Sequence, residues 1–243
     1  MRTLIISDVH SNLTALEKVL EDAQPFDQVW CLGDVIGYGP DPNECISRIR
    51  ELPLLKCVKG NHDAAIIGDI NIRAFNYEAR ASLKWLESVI TFENKRWLAA
   101  LDEMIVVDDV TLVHGSPTSF VWEYVMDVQS ARENMDAFTT LICLVGHTHV
   151  PIQFTQVGED LKTTKRIPLT LDEPFELNHK SILNPGSVGQ PRDHDPRASY
   201  MIYDDKEGKW SLHRILYDFK EVQERILAAG LPNQHAYRLS KGW

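Results

Sequence analysis

A chain that alternates short apolar runs with amphipathic stretches, and stops those runs on metal-ligating side chains, reads as an α/β fold on a parallel or mixed sheet. Three observations predict it. Strand-like and helix-like periods alternate from the first residues onward. The 243 residues are 44% hydrophobic, enough to bury a sizeable core. Five apolar runs end on Asp, Asn or His, as strands do where their carboxyl ends meet at a ligand-binding edge.

Residues 2–7 form the first β run. In "NLTALEKVLEDAQ", Leu13, Leu16, Leu20 and Ala23 then share one helical face behind a Ser11/Asn12 cap, which makes a βα unit. A second run, "QVWCLGD", leads through the Gly/Pro loop "VIGYGPDPN" into the amphipathic "ECISRIREL". A third, "LLKCVKGNHD", precedes a helical stretch over 64–102 that interrupts the alternation and reads as an insertion or cap on a single domain spanning 1–243. Strands resume at "MIVVDD", "VTLVHGS" and "LICLVGHTH", and a β-rich second half has runs near "PIQFTQV", "KSILNPGS", "SYMIYDD" and "KWSLHRIL". The helix "FKEVQERILAAG" closes on Gly230 with Pro232 beyond it.

Composition excludes several classes. No run of 18 or more apolar residues is present, and Asp8 and His10 interrupt the N-terminus before a secretory h-region could form, so the reading is a soluble, cytoplasmic protein without membrane partners. Cys31, Cys45, Cys57 and Cys143 lack CxxC spacing, and three of them sit in apolar runs as small hydrophobes. A net charge of −10 argues against nonspecific nucleic-acid binding. It leaves room for an enzyme acting on phosphate esters, because bound dications add positive charge that a residue count omits.

The five endings are "LIISDVH", "VWCLGD", "KCVKGNHD", "TLVHGS" and "CLVGHTH". In an extended segment, side chains two apart point the same way, which would let Asp8 with His10, and His147 with His149, reach toward one site. Asp8, His10, Asp34, Asn61, His114, His147 and His149 are more ligands than one ion needs. With one acid bridging, they suit two ions about 3.5–4 Å apart. Imidazole and carboxylate without thiolate favour Mn, Fe, Zn, Co or Ni. Asn61 also reads as a turn residue, and Ser116, outside any GxSxG context, as an ordinary loop position.

In order, DVH, GD, GNHD, VHGS and GHTH resemble the calcineurin-like metallophosphoesterase superfamily. "GDVIGYGPDP" and "NPGSVGQPR" make the chain most similar to the bacterial and archaeal branch labelled phosphodiesterase or diadenosine-tetraphosphatase-like. The resemblance spans roughly residues 1–63 and 105–215 and implies a four-layer αββα sandwich of two mixed sheets flanked by helices. It implies that Asp8, His10 and His149 hold one metal, that Asn61, His114 and His147 hold the other, and that Asp34 bridges them. It also implies that His62, oriented by Asp63, stands near the leaving group. "GDVIGYGP" departs from the GDxxDRG of the protein-phosphatase branch, so substrate contacts of that branch do not carry over. Arg192 and Tyr38 are the candidate substrate contacts, with a solvated loop charge as the other reading of Arg192.

The expected activity is hydrolysis of a small phosphodiester, with a nucleotide or dinucleotide polyphosphate in scope, by in-line attack of a metal-bridging hydroxide. A phosphomonoesterase or protein phosphatase is the near alternative. A noncatalytic scaffold of the same fold is the distant one. The helical stretch 64–102, which follows "GNHD" directly, should emerge at the mouth of the site and set substrate size.

Overall fold

A computed structural model describes residues 1–158 and 163–243. Strand β1 (Arg2–Ile6) leads into α1 (Leu13–Asp22), whose N-cap Asn12 accepts from the Ala15 N–H; β2 (Gln28–Cys31), α2 (Pro42–Arg50) and β3 (Lys56–Cys57) follow. Helices α3 (Asn61–Ile67), α4 (Tyr77–Val89) and α5 (Phe92–Ala99), with a 3₁₀ turn at Ile72–Ala74, occupy the stretch expected to be helical. Next come β4 (Met104–Val107), β5 (Val110–Val113), α6 (Val128–Asn134) and β6 (Ile142–Leu144). The remainder is β7 (Pro151–Val157), β8 (Thr163–Ile167), β9 (Phe175–Glu176), β10 (Ser181–Pro185), β11 (Ala198–Asp204), β12 (Lys209–Ile215), α7 (Phe219–Ala228) and α8 (Asn233–Leu239).

The strands make two six-stranded sheets, ordered β3-β2-β1-β11-β12-β9 and β4-β5-β6-β10-β7-β8. Both are mixed. β1 pairs parallel with β2 and β2 with β3, whereas β11 runs antiparallel to β1; in the second sheet β5, β6 and β10 are parallel, and β4 and β7 run against them. Parallel neighbours need crossovers, which α1, α2 and α6 supply.

Strands buried on both faces explain the near-continuous apolar runs. Leu4 and Ile6 of β1 face a core shared with the helices, while Ile5 between them joins Trp30, Leu112, Leu144 and Leu183 between the sheets. On the far side of the second sheet, Val113, Cys143 and Phe154 pack with Ala131 and Met135 of the α6 region. The layers are therefore helix, sheet, sheet, helix. All four cysteines are buried and free.

Several elements differ from the sequence reading. β3 is only two residues long, and α3 starts within "GNHD" at Asn61, because the Asp63 carboxylate accepts from the Gly60 N–H and opens the helix there. A second terminal helix, α8, follows the Gly230 stop: Gly230 takes φ +72°, and Pro232 starts the chain again. Helix α6 and the short strands β8 and β9 have weak apolar periodicity and were not read from the sequence. No described helix is long and apolar enough to cross a membrane.

Candidate metal centre

The parallel strands β1, β2, β5 and β6 send the loops after their carboxyl ends to one edge of the sandwich. The loops run on in register past the strands: the Asp8 N–H donates to the Gly33 carbonyl (3.1 Å) and the His10 N–H to the Asp34 carbonyl (2.9 Å). Five of the seven candidate ligands do not lie in extended backbone. Asp8, His10, Asp34, His147 and His149 all have φ between +47° and +64°. The pairing of side chains two apart along a strand therefore fails as the reason for convergence. Left-handed turns aim each side chain instead, a strained geometry that recurs at functional sites. Two glycines leave room for it: a Cβ on Gly60 would collide with the Asp34 carboxylate, and one on Gly37 with the His10 ring.

All seven candidate ligands meet here. His149 Nε2 lies 3.3 Å from Asp8 Oδ1, and His10 Nε2 lies 3.7 Å from it. On the other side, His114 Nε2 lies 3.1 Å from Asn61 Oδ1 and 3.2 Å from His147 Nδ1. Asp34 Oδ2 stands between the two groups, 3.6 Å from His10 Nε2 and 3.4 Å from His114 Nε2.

The donor atoms suit cations. Nδ1 of His10, His114 and His149 faces a backbone carbonyl, those of Ile36 (3.3 Å), Leu32 (2.8 Å) and Gln190 (2.5 Å). Those carbonyls accept hydrogen bonds from the Nδ1–H groups, so each Nε2 is the ring atom turned inward. Buried Asp8 Oδ1 and His147 Nε2 have no hydrogen-bond partner among the described residues.

Burial holds His10, His147 and His149 well below the usual histidine range, which keeps them neutral as ligands must be. Burial also acts downward on His114, but the charge and hydrogen bond of Asp34 outweigh it and raise that ring to about 9, so the local field favours a positive charge. Burial pushes Asp8 up to about 7. In Asp34 burial is overcome by His114 and the neighbouring rings, and the carboxyl is held well below its usual range.

His62 and Asp63 part company. The Asp63 carboxylate accepts from the backbone N–H groups of Val35 (3.3 Å), Ile36 (3.2 Å) and Gly60 (3.0 Å), so it ties the β2 loop to α3 and does not orient His62. Three backbone donors brought together in a buried turn outcompete one ring nitrogen. The partner of His62 is Tyr38, whose hydroxyl lies 3.1 Å from Nε2. Arg192 Nη2 donates to that phenol oxygen (3.3 Å), leaving the Tyr38 O–H for His62 Nε2 and the ring proton on Nδ1. Burial lowers His62 to about 4, so near neutral pH it presents a neutral N–H.

Tyr38, His62 and Arg192 line a cleft over Asp34, Asn61 and the GHTH histidines. Phe75 and Asn76 from the helical stretch line it too, together with Trp122 and Tyr124 from the loop after β5. Those aromatics were missed in the sequence. The available signal was aromatic, acid, aromatic in "SFVWEYVMD", directly after a ligand-bearing turn.

The calcineurin-like phosphoesterase superfamily domain matches residues 1–208. The chain belongs to that superfamily. It is accordingly a metal-dependent phosphoesterase, and the His/Asp clusters are where metal can bind. A metallophosphoesterase of Sphaerobacter thermophilus superposes with a TM-score of 0.90 at 40% identity, covering 100% of this chain and 99% of its own. An uncharacterised protein of Methanocaldococcus jannaschii, MJ0912, is 37% identical over 98% of this chain and 97% of its own length. A symmetrical bis(5′-nucleosyl)-tetraphosphatase of Psychromonas ingrahamii is 38% identical over 71 residues, 28% of this chain and 26% of its own.

Proposed function

We propose that this phosphoesterase hydrolyses phosphodiester or phosphoanhydride bonds of small nucleotide-type substrates at a dinuclear centre. Asp8, His10 and His149 would hold one ion and Asn61, His114 and His147 the other, with Asp34 shared between the two groups. The observation that carries this reading is Asp34 Oδ2 standing within 3.6 Å of His10 Nε2 and 3.4 Å of His114 Nε2, one oxygen common to both groups. A nitrogen and oxygen donor set without thiolate suits Mn, Fe, Zn, Co or Ni. Two such ions supply positive charge for the phosphoryl oxygens and lower the pKa of water toward neutrality.

The protein's own groups do the rest. Among the residues lining the cleft none is Ser, Thr or Cys, which favours water as the nucleophile and in-line displacement. Among the described residues of that lining, Arg192 is the one Lys or Arg, and it is the side-chain cation available to a phosphate oxygen. His62, steered by Tyr38, directs its Nδ1–H toward the leaving oxygen. The partial likeness to a bis(5′-nucleosyl)-tetraphosphatase supports the nucleotide class.

The test is hydrolysis of bis(4-nitrophenyl) phosphate, 4-nitrophenyl phosphate and a dinucleoside polyphosphate by chelated protein and by protein reloaded with Mn. Metal-dependent turnover with the highest kcat/KM on a diester or dinucleotide is expected. Preference for the monoester would overturn the assignment.

A further inference from the structure

The loop between β5 and α6 carries two aromatic rings that the metal chemistry does not use. Trp122 is 36% exposed and Tyr124 47%, although both line the cleft. Rings whose task is packing are covered: Phe138 and Phe154, in the core beneath this loop, are 5% and 0% exposed. Tyr124 lies flat on the His147 ring, with centroids 3.9 Å apart and planes at 19°. Trp122 stands edge-on to Phe75 at 5.0 Å and 88°, with its centroid 6.3 Å from that of His147.

The rings are held in place from behind. Glu123, between them in sequence, accepts from the Ser116 hydroxyl, from Thr118 Oγ1 (2.7 Å) and from Asn134 Nδ2 (3.1 Å). Asn134 Oδ1 in turn accepts from the Thr118 backbone N–H (3.3 Å). This network orders the loop without burying the rings, which stay available to a ligand.

We infer that Trp122 and Tyr124 form a stacking wall for a nucleobase of the substrate, so that the substrate class is a nucleoside ester or a dinucleotide polyphosphate. This inference rests on the phosphodiesterase reading above. Flat aromatic faces accept any base, because stacking uses the π-face that every base has. Tyr124 covers the candidate ligand His147 directly, whereas the Trp122 centroid stands 6.3 Å from that ring in the same cleft. Arg192 and Tyr38 also line the cleft and engage the phosphate end.

The test uses one reacting bond with and without the base: the nitrophenyl ester of thymidine 5′-phosphate against its abasic counterpart, with Mn-loaded protein. Wild type should favour the base-bearing ester by about tenfold or more in kcat/KM, the scale of one base stacked on an aromatic ring. Trp122→Ala should remove most of that preference, chiefly through KM, and Trp122→Phe should restore most of it. A binding measurement is independent of turnover: equilibrium dialysis of adenosine monophosphate should give a Kd about tenfold weaker in Trp122→Ala. A wild-type preference near one, or an unchanged preference in folded Trp122→Ala, would overturn the wall. If wild type turned over no ester while Trp122-dependent binding persisted, the wall would stand and the hydrolase reading would fail.

Discussion

The Nε2 atoms of His10 and His149 lie 3.0 Å apart while Nδ1 of each ring faces a backbone carbonyl. Two lone pairs cannot face each other in a dry interior without a cation between or beside them. Elemental analysis should therefore find about two transition-metal ions per chain, as in two-metal phosphoryl-transfer sites. His149→Ala should lose mainly one of them, and Asp34→Asn should weaken both. Protein that neither carries nor takes up a transition metal would refute the dinuclear centre.

The Tyr38 hydroxyl 3.1 Å from His62 Nε2 makes these two residues a unit. His62→Ala should keep its metals and lose about 10² to 10³ in kcat on an alkyl ester, the range for removing one hydrogen-bond donor to a developing negative charge. The loss should be smaller on nitrophenyl esters, whose leaving oxygen carries less charge. Tyr38→Phe should follow the same pattern to a lesser extent. Equal losses on both esters would remove His62 from leaving-group stabilisation, and loss of a metal would make it a ligand.

Asp63 should behave as a structural residue. Its carboxylate serves three buried backbone donors. Asp63→Asn should lower unfolding stability by about 1.5–3 kcal/mol, the scale of hydrogen bonds to a charged group. Urea unfolding measures this. The leaving-group dependence of the remaining activity should match wild type, unlike that of His62→Ala.

His235, on α8, is buried with its ring 4.7 Å from that of Tyr38 and its Nε2 2.7 Å from Ser82 Oγ. Burial lowers its pKa from 6.5 to about 4. The unfolded chain therefore binds the extra proton first as pH falls, so this contribution to stability is complete above pH about 6.5 and is lost progressively toward 4. His235→Gln should have a shallower loss of Tm than wild type over that window. Parallel curves would show that His235 does not titrate this way.

Sequence pattern alone carries the α/β alternation and the candidate ligands, and the resemblance of its ordered motifs implies the layers. β1, β2, β5 and β6 are apolar because both of their faces are covered, and each run must stop where the sheet edge meets solvent. Asp8, Asp34, His114, His147 and His149 stand at those stops, so their meeting at one edge follows from parallel pairing. The order of the motifs carried the family for the same reason.

Tertiary structure alone decided how those side chains are aimed and what they touch. The left-handed backbone at Asp8, His10, His147 and His149 comes from loops hydrogen-bonded to one another across the sheet edge, which local spacing does not encode. The resemblance implies an Asp63–His62 pair, but the Asp63 carboxylate accepts instead from buried N–H groups of Val35 and Ile36, nearly 30 positions away in sequence. Trp122 and Tyr124 belong to no motif in the sequence and reach the site only because the loop after β5 folds over His147. Local pattern records which residues must be buried and where the chain turns. Which polar atoms then satisfy each other depends on distances that exist only once the layers have packed.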